Sequence, residues 1–93
     1  MMRSLSQKII SWKRRQHIHQ PRITVEINQR ALLHNLHALH SIAPSWSIAP
    51  VLKSNAYGHG LTLIAALLQN EKCIPFFCVD SYAEAELLRY AGI

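Results

Sequence analysis

The hydrophobic pattern changes its period several times along the chain, and each change marks an element. Ile23, Val25 and Ile27 alternate with Thr24, Glu26 and Asn28, the period of two that marks a half-exposed strand. Asn28 then stands where a helix N-cap is wanted, and Leu32, Leu36, Leu39 and Ala43 form one face of a helix through Ile42. Pro44 marks its end. Ile48-Ala49-Pro50-Val51-Leu52 is apolar without alternation, as expected of a parallel strand covered on both faces. Pro50 suits only the start of such a strand or a position that needs no ladder donor. A second helix is predicted from about Gly60 to Gln69, burying Leu61, Ile64, Ala65 and Leu68. A polar turn at Glu71-Lys72 then leads to a third apolar strand, Phe76-Phe77-Cys78-Val79. Ser81, with Glu84 three residues on, makes a capping box for the last helix. Ala85, Leu88 and Ala91 line its inner face and Gly92 supplies a C-terminal cap. The order β-α-β-α-β-α defines an α/β class with barrel-like spacing.

Composition narrows the picture. The 93 residues carry a formal charge of +5, but the charge is unevenly placed. Residues 1–22 hold Arg3, Lys8, Lys13, Arg14, Arg15 and Arg22 and no acid, whereas residues 23–93 are close to neutral. The boundary therefore separates a basic N-terminal extension, 1–22, from a domain portion, 23–93. The extension reads as a solvated, disordered or helical tail. Two other readings are an organelle-targeting or membrane-surface helix and a nucleic-acid contact through Lys13, Arg14 and Arg15 beside Trp12. His17 and His19 in that tail are read as solvent-facing. The longest apolar stretch, Leu61–Leu68, is eight residues, against about 20 for a membrane span. Cys73 and Cys78 are too few for a disulfide framework and lack a partner pair for zinc. Cys78 reads as a small core residue. The chain is expected to be soluble and in a reducing, cytoplasmic compartment.

His34, His37 and His40 recur at i, i+3 and i+6, on one side of the first helix. No carboxylate or cysteine lies within a turn of them in sequence, so they read as a polar outer face and no metal site is assigned.

The chemistry concentrates in Lys53-Ser54-Asn55-Ala56-Tyr57-Gly58-His59-Gly60. A lysine ends an apolar strand and opens into a loop with two glycines. Ligands of parallel α/β folds sit at the carboxyl ends of strands. Low-dielectric walls there favour the neutral amine that a nucleophile or Schiff base requires. Tyr57 can return to the same mouth and donate its hydroxyl to an anion, and Gly58 and Gly60 let the backbone turn sharply into the next helix. Spacing alone fits equally a strand-end lysine reaching into water. The lysine precedes the glycines, so this is not a phosphate-cradling Walker loop, and no dinucleotide fingerprint is present.

KSNAYGHG resembles the cofactor-lysine motif of the alanine racemase family, with Ser54 where alanine is usual. TVEINQRALLHNLHAL resembles that family's first strand and helix, with Asn28 where aspartate is common, and DSYAEAELLRYAGI resembles the helix after its third strand. The resemblance covers residues 23–93. It implies three βα units of an incomplete (β/α)8 TIM-type barrel and a pyridoxal-phosphate enzyme that interconverts L- and D-alanine for peptidoglycan. It further implies that Lys53 joins the cofactor and serves as acid/base on one face of the substrate, and that Tyr57 binds the cofactor phosphate. The family's second acid/base is a tyrosine of the partner subunit in a homodimer, and nothing in this chain matches it. The chain therefore reads as an N-terminal piece that is inactive alone, with alanine as the small-molecule substrate and neither nucleic acid nor membrane as partner. Two alternatives are a single-domain pyridoxal-phosphate-binding barrel and a basic-tail module for nucleic acid or anionic membrane. The NAYGHG continuation argues against the first.

Overall fold

The computed structural model describes residues 23–93. The readings of the basic extension, including Lys13, Arg14, Arg15, His17 and His19, lie outside the described residues.

Among the described residues, three right-handed helices form where the sequence pattern places them. α1 spans Gln29–Ile42, and the Asn28 side chain accepts the Ala31 backbone N–H at 3.0 Å. That bond satisfies one of the donors a helix start leaves open, and such a cap contributes about 1 kcal/mol. α2 spans Leu61–Leu68 and buries Leu61, Ile64, Ala65 and Leu68, the four predicted positions. α3 spans Tyr82–Tyr90 and starts from Ser81, whose side chain accepts the Glu84 backbone N–H. A short turn, Lys53–Tyr57, precedes α2 and packs against it, and α2 packs against α3. The core gathers Leu36 of α1, Leu52, Ala56, the four α2 residues, Ile74 and Leu88.

The three predicted strands are not realised as strands among the described residues. One parallel bridge, Val51 with Cys78, is what forms. Around it, Ile48 N–H donates to Cys73 C=O at 2.8 Å, Cys78 N–H to Pro50 C=O at 2.9 Å and Leu52 N–H to Cys78 C=O at 2.7 Å. The segments 48–52 and 73–79 therefore run side by side in parallel. Pro50 and Pro75 have no N–H to give, so the ladder cannot be continuous. Residues 24–28 form no regular element and pair with neither segment, although the Asn28 backbone is extended, and Ile23 and Val25 are exposed. Of the three apolar positions in the predicted alternation, Ile27 alone packs against the core.

Two predicted inner faces are shorter than their sequence pattern. α1 is longer than the core beneath it: Leu32, Leu33 and Leu36 reach that core, while Leu39 is 61% exposed and Ile42 80%. In α3, Leu88 is buried, Ala85 half-buried and Ala91 exposed. Cys78 is half-buried and stands outside the core cluster, because its segment is paired along one edge and the adjacent Phe76 is open to solvent. Cys73, by contrast, packs on the core, and both thiols are free. Among the described residues, no helix is long and apolar enough to cross a membrane.

Candidate functional site

Lys53 lies where the parallel pairing ends. Leu52 is buried and its N–H is bonded to Cys78; the next residue, Lys53, is half-buried. The chain then does something the sequence reading does not anticipate. Ser54, Asn55, Ala56 and Tyr57 have φ of 54°, 56°, 53° and 56°, so the expected loop is a left-handed helical turn. For residues with a Cβ that conformation costs about 1–2 kcal/mol each, asparagine being the most tolerant. Such runs persist only where the surroundings over-determine them, and they cluster at ligand clamps.

Asn55 is the residue that holds the turn. Its carbonyl accepts the N–H groups of Gly58 at 3.2 Å and Gly60 at 3.0 Å. Its side-chain Oδ1 accepts the Leu61 N–H at 2.8 Å, so it also caps α2. Its own N–H donates to Glu84 Oε1 at 3.2 Å. Gly58 (φ +87°) and Gly60 (φ +104°) complete the reversal into α2, as the sequence predicts. Ala56 is buried at 5% exposure, and its carbonyl lies 2.9 Å from His59 Nδ1 and accepts the His59 N–H at 3.1 Å.

The structure thus puts Lys53 and Tyr57 at the two ends of one hydrogen-bonded turn. Tyr57 is 60% exposed, and Lys53 makes no ion pair among the described residues. A cavity of about 300 Å³ reaches the turn from the other side, bordered by Glu26, Asn28, Leu32, Ala56 and His59. Neither Lys53 nor Tyr57 borders it.

Two residues of this site escape the sequence reading, Asn55 and Glu84. Glu84 is read there as half of a capping box. One half forms, with Ser81 Oγ accepting the Glu84 N–H at 3.2 Å, but the carboxylate reaches across to Asn55. That contact holds the Glu84 carboxyl below the ordinary glutamate range. The Asn55 backbone N–H is the largest cause, desolvation opposes it, and Asp80 adds a smaller lowering. The other oxygen, Oε2, is shielded from water and has no hydrogen-bond partner among the described residues.

The histidine face is only partly as expected. His34 and His37 are exposed and His40 is half-buried. The carboxylate missing from their own helix arrives from elsewhere: His37 Nε2 meets Glu71 Oε2 at 2.9 Å. Among the described residues, no group of three His, Cys, Asp or Glu side chains stands close enough to hold a metal ion.

Comparison with known proteins then decides the family. The family described as "Alanine racemase, N-terminal domain" matches residues 27–93, which include the left-handed turn and both parallel segments. The chain belongs to the alanine racemase N-terminal domain family. It is similar to the alanine racemase of Yersinia pestis bv. Antiqua (strain Angola), 41% identical over 70 residues. It is also similar to the biosynthetic alanine racemases of Salmonella typhimurium (strain LT2) and Escherichia coli (strain K12), each 46% identical over 70 residues. In all three cases the alignment covers 75% of this chain and 19% of the relative. The chain therefore spans about a fifth of the length of the racemases it matches. The alanine racemase N-terminal domain is barrel-type, whereas the described residues contribute helices, the turn and one parallel bridge.

Proposed function

We propose that this chain carries the cofactor-lysine segment of a pyridoxal-phosphate-dependent alanine racemase, an isomerase of L- and D-alanine serving peptidoglycan synthesis in the cytoplasm. The observation that carries the reading is the position of Lys53, on a left-handed turn where a parallel-paired segment ends. The donor chemistry suits the cofactor: a primary amine not engaged by a carboxylate among the described residues, with a phenol at the far end of the same turn. Residues 23–93 are, on this reading, three βα units of an incomplete barrel that works as a homodimer, with residues 1–22 an extension outside it.

Lys53 Nζ is the group that holds pyridoxal phosphate covalently and moves a proton at one face of the alanine α-carbon. Tyr57 Oη donates to the cofactor phosphate. When bound, the cofactor provides an electron sink for the charge left on that carbon. Asn55 and the two glycines hold the turn that carries the amine and the phenol. Racemisation also needs an acid/base on the opposite face, which the reading assigns to a tyrosine of the partner subunit. The chain alone is therefore expected to bind cofactor without racemising alanine.

Borohydride reduction of the chain with pyridoxal phosphate, followed by peptide mapping, tests the assignment. Label is expected on Lys53 in preference to Lys72, and Lys53→Ala removes it. Equal labelling of both lysines in the unsubstituted chain refutes the role of Lys53. Robust D-alanine formation by the isolated chain would overturn its expected inactivity.

A further inference from the structure

Lys53 is bracketed by two hydrogen bonds that reach the same neighbouring unit. On its N-terminal side, Leu52 N–H donates to Cys78 C=O at 2.7 Å. On its C-terminal side, Asn55 N–H donates to Glu84 Oε1 at 3.2 Å. Cys78 lies in the parallel segment and Glu84 in the first turn of the helix that follows it. The glutamate is fixed in turn, because its own N–H is bonded to Ser81 Oγ. The second bracket is the less replaceable of the two, since it falls on the left-handed residues whose conformation the chain does not otherwise favour. Releasing it would let residues 54–57 relax towards ordinary φ values and would move whatever Lys53 presents. We propose that Glu84 is a positioning residue for Lys53, its carboxylate clamping the left-handed turn through the Asn55 N–H.

The role of Glu84 rests on the reading of Lys53 as the cofactor lysine, although the clamp is a property of the backbone. The carboxylate touches no reacting atom and acts through Asn55. An acceptor oxygen is what the clamp needs, so glutamine preserves it and alanine abolishes it. A glutamate that served only to cap α3 would leave Asn55 untouched in either variant, since Ser81 already supplies that cap.

The test compares the full chain with Glu84→Ala and Glu84→Gln, using two probes. Amide hydrogen exchange reads Asn55, with Leu36 as an internal report on the core. Borohydride trapping of pyridoxal phosphate reads the preference for Lys53 over Lys72. In Glu84→Ala, the Asn55 amide should exchange as an unbonded amide and the Lys53 preference should fall to the Lys72 level, with Leu36 still protected. Glu84→Gln should restore both. Retention of the Asn55 protection and the Lys53 preference in a folded Glu84→Ala chain would overturn the proposal. If Glu84→Ala loses Leu36 protection as well, the unsubstituted chain decides. A protected Asn55 amide supports the clamp there, and one exchanging freely overturns it. Equal labelling of Lys53 and Lys72 before any substitution refutes the cofactor reading and, with it, the role assigned to Glu84. An unchanged Asn55 amide in Glu84→Ala refutes the clamp itself, so the two failures register on different probes.

Discussion

His37 Nε2 and Glu71 Oε2 stand 2.9 Å apart, joining the outer face of α1 to the turn that follows α2. The partners are 34 residues apart in sequence, so the contact is tertiary and appears only when α1 is docked. His37 is 59% exposed and Glu71 24%, which leaves the pair largely screened. Glu71→Gln should therefore cost less than about 1 kcal/mol, and the small difference should shrink further in high salt. Urea denaturation of both chains at low and high ionic strength measures it.

A sharper contrast separates two aliphatic positions that the sequence pattern treats alike. Ile64 is 8% exposed and packed in the core, whereas Leu39 is 61% exposed. Ile64→Ala should destabilise by about 2–5 kcal/mol through lost burial and a residual cavity. Leu39→Ala should stay within about 0.5 kcal/mol. Equal losses at the two positions, measured by chemical denaturation, would mean that α1 buries its whole predicted face.

What the sequence shows and what it hides divide along physical lines. α2 was legible because the four positions its periodicity selects, Leu61, Ile64, Ala65 and Leu68, all face one compact core, while Leu63 on the other face is left exposed. The Asn28 and Ser81 caps were legible because capping is local, settled within three residues. Leu39 was not, because periodicity says which face turns inward and is silent on how far the core beneath extends. The strand pattern is realised among the described residues as a single parallel bridge for a related reason. An apolar run such as Phe76–Val79 records a wish for neighbours, but a ladder also needs donors, and Pro50 and Pro75 withhold them. At the site, Lys53, Tyr57 and the glycines stood out by type and spacing. Asn55 did not, since a left-handed run of four residues has no periodic signature. Glu84 was visible but assigned to its nearest local partner, and its bond to a residue 29 positions away is set by tertiary packing.

The left-handed turn makes a pair of opposed predictions. Ser54 is exposed with φ 54°, so Ser54→Gly should relieve local strain and stabilise the chain by up to about 1 kcal/mol, the relief being offset in part by glycine's greater freedom when unfolded. Gly58 has φ +87° and nothing within 4 Å of an added Cβ. Gly58→Ala therefore meets no steric neighbour, and its expected cost of about 1–2 kcal/mol is conformational alone. Thermal melts of the two variants should move in opposite directions. A shared direction would argue against a left-handed turn in solution.

Glu84 makes the stability of the turn depend on pH in a definite sense. The folded chain holds its carboxyl below the ordinary glutamate range, chiefly because the Asn55 N–H donates to the ionised form, with Asp80 adding to the effect and desolvation opposing it. A native value below the unfolded one means that the folded state takes up the proton less readily than the unfolded state. The contribution is then fully present above the ordinary glutamate range, and it is lost as pH falls from that range through the lower native value. Glu84→Gln cannot ionise, so the parent should exceed it in stability most at neutral pH, and the gap should close in acid. Urea midpoints for the two chains at about pH 7 and about pH 3 read this directly. A gap that stayed constant, or widened in acid, would show that the ionised carboxylate is not what the Asn55 N–H holds.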